Sequence, residues 1–185
     1  MTSQAVAKSL PKSIVLDKWE ESGFSWSGDI VPAIFPRLVE LVDAEHQQVV
    51  IQLTCELVKE DNVNWLKMSF VGELWVCCQR CLQPLMIDVT YDTRLALLYD
   101  ETQSSLLDEE VDYVLLDEVL VTKHHQRVLP LSDLIEDELL LNVPLSAKHD
   151  DCDMVVEQVG EIEEEEADNP FAALAVLKDE LKNKG

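Results

Sequence analysis

Alternating apolar and polar positions dominate the middle of the chain and predict a β-sheet. In the clearest run, from Val49 to Leu57, every second residue is apolar and most of the residues between are polar. Similar alternation covers roughly 66–77 and 85–98, with short links between the runs. Three consecutive alternating strands with short connections are typical of an antiparallel meander. The pattern leaves open whether this sheet closes like a barrel.

Apolar residues at helical spacing predict three helices outside this region. The first covers 35–42, and the second runs from Ser132, as its N-cap, to Asn142. The third is a short amphipathic helix over 170–185, which Asn169-Pro170 opens and an acidic stretch precedes. We therefore predict a single α+β domain over 1–154, a disordered acidic linker over 155–169 and a C-terminal helix over 170–185.

Two cysteines lie where the second alternating run ends and the third begins. Cys78 and Cys81 form a C-x-x-C, which the pattern places at the tip of a hairpin. Two thiolates at this spacing can bind one metal ion from a single turn or form a redox disulfide, and an ordinary turn is the alternative. The pair supplies only half of a tetrahedral site. The second half must come from elsewhere in the chain.

The two cysteines closest in sequence to this pair are interpreted differently. Cys55 falls in register with the apolar positions of its strand, so we expect it to fill the core. Cys77 faces the opposite side from Cys78, so it is not a predicted ligand. Five cysteines without an export signal indicate a reducing cytoplasm, and no apolar run approaches the ~20 residues that a membrane span needs.

The net charge of the chain indicates which kinds of partner it can bind. It contains 37 acidic residues against 14 lysines and arginines, for a net charge of −23. Such a surface repels phosphate backbones and attracts basic proteins such as ribosomal proteins, so direct binding to naked rRNA is disfavoured. The few basic residues that could contact RNA lie in the segment Lys123–Arg127, which we predict to be an exposed loop, and at Arg80 in the hairpin tip.

Enzymatic signatures are missing from the sequence. Redox C-x-x-C pairs usually open a helix, whose N-terminus lowers the pKa of the thiol, whereas this pair is followed by a predicted strand. The chain has no phosphate-binding glycine loop, dinucleotide fingerprint, zinc-protease motif or nucleophile elbow. We therefore predict a protein that is not an enzyme and has no small-molecule substrate.

Several of these segments together resemble the YceD family, also called large ribosomal RNA subunit accumulation proteins. The resemblance rests on Cys78-Gln-Arg-Cys81-Leu-x-Pro84, on the acidic helix Asp133–Leu141 running into Val143-Pro144, on His149 and Cys152, and on the motif that Asn169-Pro-Phe opens. Some members carry further cysteines after the acidic helix and so complete a four-cysteine set. This chain departs from that pattern, because Cys152 is the only cysteine there and His149 is the nearby residue that could replace the missing one.

The resemblance implies a cytoplasmic bacterial factor that supports synthesis, processing or stability of the large-subunit (23S) rRNA. It implies no catalytic residue. Acidity adds a mechanism, in which the protein binds the pre-ribosomal large subunit through a basic ribosomal protein or assembly factor. The alternative is a zinc-binding or thiol-redox protein that uses the C-x-x-C pair, with Cys78, Cys81, His149 and Cys152 as zinc ligands. We predict either no cofactor or zinc.

Overall fold

The computed structural model describes residues 9–19, 22–108, 111–123 and 125–155. Met1–Asp153 form one compact unit and Met154–Gly185 a second, and the fold and site below belong to the first. Almost all of the predicted linker and the whole predicted C-terminal helix lie outside the described residues, so that division of the chain stays a prediction. No helix in the described ranges is long and apolar enough to cross a membrane.

A five-stranded sheet forms the centre of the domain, in the order β2-β3-β4-β7-β8. Its members are β2 (Phe24–Ile30), β3 (Ile51–Glu60), β4 (Val63–Val71), β7 (Tyr91–Leu98) and β8 (Tyr113–Leu115). The first four pair antiparallel and β8 joins β7 in parallel. Among the described strands this sheet is open and does not close into a barrel. The α+β prediction is confirmed.

Two smaller sheets complete the described strands. The first has three strands, β1 (Ile14–Val15), β10 (Gln126–Leu129) and β9 (Val121–Lys123), and the second is the hairpin of β5 (Glu73–Cys77) and β6 (Pro84–Asp88). The helices are α1 (Leu16–Trp19), α2 (Leu116–Val119) and α3 (Leu131–Leu141). The main core lies between the central sheet and α3, whose residues Leu131, Leu134, Ile135 and Leu139 are all buried.

The hairpin interrupts the predicted meander. The run predicted over 66–77 is two strands, β4 and β5, which separate at Gly72, and the run over 85–98 is likewise β6 and β7. A side chain at position 72 would meet the backbone of Val50 and Ile51 at 3.1–3.2 Å. The chain therefore passes close to the start of β3 before it leaves the central sheet.

Two helix predictions need correction. The segment 35–42 forms no α-helix but only a 3-10 turn at Leu38–Glu40, after another at Pro32–Ile34. Pro36 explains this, because a proline disfavours helical geometry at the residue before it, and Phe35 is extended. Ser132 is not an N-cap, since α3 begins at Leu131 with Pro130 in the cap position.

Candidate metal centre

The tip of the β5–β6 hairpin is a tight turn that presents Cys78 and Cys81 on one side. The Leu82 amide donates to the Cys78 carbonyl at 2.9 Å, and the Cys78 amide donates to the Gln83 carbonyl at the same distance. Leu82 has φ 59°, in the left-handed region. These bonds fold the chain back directly after Cys81, so both thiols come from one short turn, as the sequence predicted.

The loop after α3 is hydrogen-bonded to this turn through Gln79. The Gln79 amide donates to the carbonyl of Ala147 at 2.8 Å, and its side-chain amide donates to the carbonyl of Leu145 at 3.0 Å. These two bonds hold the loop beside the hairpin although about 66 residues separate them. His149 and Cys152 follow in the same loop and therefore reach the two cysteines of the turn.

The structure brings all four predicted ligand residues together. One ligand atom from each of Cys78, Cys81, His149 and Cys152 lies within 4.8 Å of the others. The Sγ atoms of Cys78 and Cys152 are 3.8 Å apart, and Cys81 Sγ lies 3.4 Å from His149 Nδ1. The three cysteines and the histidine are all buried or half-buried, and the three thiols are free of disulfide bonds.

These distances fit a tetrahedral zinc ion. With bonds of about 2.3 Å to sulfur and about 2.0–2.1 Å to nitrogen, tetrahedral geometry places two sulfurs about 3.8 Å apart and a sulfur and a nitrogen about 3.5 Å apart. The observed separations of 3.8 and 3.4 Å match both values. Three thiolates and one imidazole are one of the standard donor sets of structural zinc sites. The cluster could therefore hold a metal ion.

Electrostatics at the turn favour a thiolate at Cys78. Burial opposes its ionisation, but backbone amides of Cys81, Arg80 and His149 donate to the sulfur and together lower its pKa to about 5. The pKa of Cys152 is raised by burial and by the neighbouring thiols of Cys81 and Cys78. Cys78 is thus the group prepared to bind a cation first.

Arg80 completes the surroundings of the cluster. Its Nε donates to Cys152 Sγ at 3.1 Å, and its Nη2 donates to the carbonyls of His149 and of Asp150, the latter at 3.3 Å. Sequence reasoning named Arg80 only as a basic residue at the tip. Its position between the two cysteines was the available signal, because it forces the guanidinium to lie near whatever the cysteines bind.

The other residues singled out by the sequence lie elsewhere. Cys55 is fully buried, as predicted, and burial raises its pKa to about 12. Cys77 is exposed and lies outside the cluster. The predicted loop over 123–127 has paired strands at both ends, because Lys123 ends β9 and Gln126 and Arg127 begin β10, where Gln126 pairs with Lys123. Its Arg127 donates to the Asp17 carboxylate and to the Tyr99 hydroxyl, which ties it to the domain.

Fold and site together define an α+β protein with a candidate zinc knuckle, in which a hairpin tip and a distant loop share one ligand cluster. Residues 66–178 match the sequence model of the family described as YceD, large ribosomal RNA subunit accumulation protein. The match covers more than half of the 185 residues and includes the whole cluster. The chain belongs to this family, as its motifs indicated. No curated protein and no solved structure matches it at a significant level.

Proposed function

We propose that the protein is a non-enzymatic, cytoplasmic factor of large-subunit biogenesis that supports synthesis, processing or stability of 23S rRNA. The family match carries this proposal. In the proposed mechanism the protein binds a basic ribosomal protein or assembly factor on the pre-ribosomal particle. A net charge of −23 supports that choice of partner, because an acidic surface accelerates encounters with basic proteins and repels phosphates.

Ion pairs within the domain further support a protein partner over naked rRNA. Arg37 pairs with Glu136 and Asp137, and Lys67 pairs with Glu60. Arg127 pairs with Asp17, and Arg80 donates to the cysteine–histidine cluster. Since these cations already have acidic or thiol partners, an RNA backbone would have to compete for them.

A binding titration tests this proposal. At ~0.15 M salt, where charges separated by more than about 8 Å are screened, we expect weak or no gel shift of purified 23S rRNA. We expect measurable binding to at least one basic large-subunit protein or assembly factor, which weakens as salt rises. Tight, saturable binding of rRNA by this protein alone would contradict the proposed partner.

We also propose that Cys78, Cys81, His149 and Cys152 hold one structural zinc ion. Two separations that match tetrahedral geometry, and the gathering of all four ligand atoms within 4.8 Å, support this proposal. Four protein ligands leave no open position, so the ion would fix the loop to the hairpin and activate no water. The redox alternative is weaker, because it would use only Cys78 and Cys81, whereas the structure brings His149 and Cys152 to the same cluster. The pair also lies between β5 and β6 and not at the start of a helix, where redox pairs usually lie.

Elemental analysis of protein purified without chelator tests the zinc proposal. We expect about one zinc per chain in the wild type and in Cys77→Ser, which alters the exposed neighbour of Cys78. Cys81→Ser and Cys152→Ser each remove a ligand, so we expect both to lose the metal. Metal-free wild-type protein that melts at the same temperature with and without added zinc would refute the site.

A further inference from the structure

The β5–β6 hairpin has an inner and an outer side, which its register defines. Leu74 and Val76 point inward and are buried. The directly opposed pairs Glu73–Asp88, Trp75–Met86 and Cys77–Pro84 alternate with them, and therefore point outward. We call these six residues the outer hairpin face.

This face exposes apolar side chains around a fixed aromatic ring. Met86 is 48% exposed, and its opposite neighbour Trp75 is half-buried. The His46 ring stacks on Trp75 with centroids 4.5 Å apart, and Trp75 Nε1 donates to the Glu73 carboxylate at 2.8 Å. The tryptophan is thus held in one position before any partner arrives. Methionine and tryptophan are both enriched in protein–protein interfaces.

Leu82, in the turn at the end of the same hairpin, is an exposed apolar residue in an unfavourable backbone conformation. Its side chain is 58% exposed and its backbone lies in the left-handed region, at φ 59°. Only glycine adopts that conformation without steric cost. A leucine here contributes little to the core of the domain and strains the turn, which is the pattern expected of a contact residue.

The charges of the outer hairpin face select the kind of partner. Its two ionisable carboxylates, Glu73 and Asp88, lie directly opposite each other, an arrangement that like-charge repulsion disfavours. Asp43 accepts from the stacked His46 at 2.7 Å and so places a third acidic group beside Trp75. A cationic side chain from a partner would relieve this repulsion, whereas a phosphate would increase it.

We infer that the outer hairpin face docks a basic large-subunit ribosomal protein, which places an apolar side chain against Trp75 and Met86 and a lysine or arginine against Glu73 and Asp88. This inference rests on the proposed function and assigns a surface to it. The metal cluster at the tip would then hold the hairpin in the orientation that presents the face.

The test measures binding of purified basic large-subunit proteins, each labelled singly, by fluorescence anisotropy at ~0.15 M salt. Met86→Ala should weaken binding of the protein that the wild type binds by about 10-fold or more, as for a central interface residue. Glu73→Gln/Asp88→Asn should weaken it similarly and reduce its salt dependence. Matched controls are Leu106→Ala, an exposed leucine elsewhere, and Asp117→Asn/Glu118→Gln, which removes two exposed acids from α2. We expect the controls to bind within about 2-fold of the wild type.

The outcomes separate this inference from the proposed function. Unchanged binding by Met86→Ala and by the double acidic variant would overturn the surface and leave the proposed function standing. If no ribosomal protein binds the wild type, the partner named here is wrong. Binding of a 23S rRNA transcript that Met86→Ala abolishes would also overturn it, in favour of RNA. If the double variant does not fold, as circular dichroism would show, Met86→Ala decides alone, because that side chain is half exposed.

Discussion

The Arg37–Glu136 contact and the cysteine–histidine cluster each join segments that lie far apart in the sequence. Glu136, 2% exposed on α3, accepts backbone amides of Arg37 and Leu38 at 2.5 and 2.9 Å. Its other oxygen accepts Nε and Nη2 of Arg37 at 3.1 and 3.0 Å. The carboxylate is therefore fully satisfied by groups of the protein, and the contact is complete.

The cluster is built from contacts of another kind. Sulfur and nitrogen atoms approach at 3.4–3.8 Å, and thiols are weak hydrogen-bond donors and acceptors. The Arg80 side chain is a cationic donor to these thiols, and it reaches Cys152. The comparison shows that the first contact is complete within the protein, whereas the second would gain most of its strength from the proposed metal ion.

Metal removal is the largest effect that we expect. Zinc at 1,000 times its dissociation constant stabilises the folded state by about 4 kcal/mol, which for a domain of this size corresponds to a melting temperature higher by on the order of 10 °C. A thermal melt with and without chelator measures the difference. In Cys81→Ser the chelator should have no effect, whereas Cys77→Ser should behave as the wild type. A wild type that melts at the same temperature with and without chelator would show that the cluster, like the Arg37–Glu136 contact, stabilises the fold without a metal.

The second prediction breaks the Arg37–Glu136 contact. Glu136→Gln removes the charge and leaves one acceptor oxygen, which can serve either the two backbone amides or the Arg37 guanidinium. The other set of donors then faces an NH2 group, so we expect the free energy of unfolding to fall by about 2–3 kcal/mol. Urea unfolding measures it. Asp137→Asn, whose parent carboxylate pairs with the same arginine at 2.6 Å but is half exposed, should cost less than about 1 kcal/mol. Equal costs would show that burial of Glu136 is unimportant.

Local sequence patterns predicted most of the elements that carry the two contacts, but they did not predict which elements lie beside each other. The alternation of β3 and the buried face of α3 were visible in the sequence, as was the turn that carries Cys78 and Cys81. The break at Gly72 was invisible, because buried positions keep the same parity across it: Phe70 is buried in β4 and Leu74 in β5. Alternation reports which residues face inward and does not report which sheet a strand joins.

The family resemblance predicted one long-range contact where hydrophobic pattern predicted none. It placed further ligands after the acidic helix, and His149 and Cys152 stand there and belong to the few donor types that a tetrahedral site accepts. Glu136 offered no such signal, since it is one of 37 acidic residues and any of the 14 lysines and arginines could have been its partner. Chain charge alone cannot choose among so many pairs.

The third prediction concerns the cationic side chain beside the cluster. Arg80→Gln removes the positive charge beside the three cysteines and the bond to Cys152, so we expect zinc affinity to fall about 10-fold or more, as for other residues that support metal ligands. Arg80→Lys keeps the charge but loses the several donors of the guanidinium, so its zinc affinity should lie between those of the wild type and Arg80→Gln. Competition with a chromogenic chelator measures affinity. Lys148→Gln, next to His149, is the control with the same charge change. An equal loss of zinc affinity in this variant would show that Arg80 acts only through its charge and not through its hydrogen bonds.

The smallest expected effect is the pH dependence of the metal-free protein. Burial of Cys78 opposes its thiolate, but amide donors outweigh burial and lower the pKa from 9.0 to about 5 in the folded state. Because the folded pKa is the lower one, the stabilisation is complete above pH 9.0, declines as the pH falls, and is lost below about 5. Thiolate absorbance of chelator-treated protein should therefore show one group titrating near pH 5, absent from Cys78→Ser and retained in Cys77→Ser. A wild type in which no thiol titrates near pH 5 would show that the backbone amides do not favour a thiolate at Cys78. The cluster would then be no better organised for a cation than an ordinary turn.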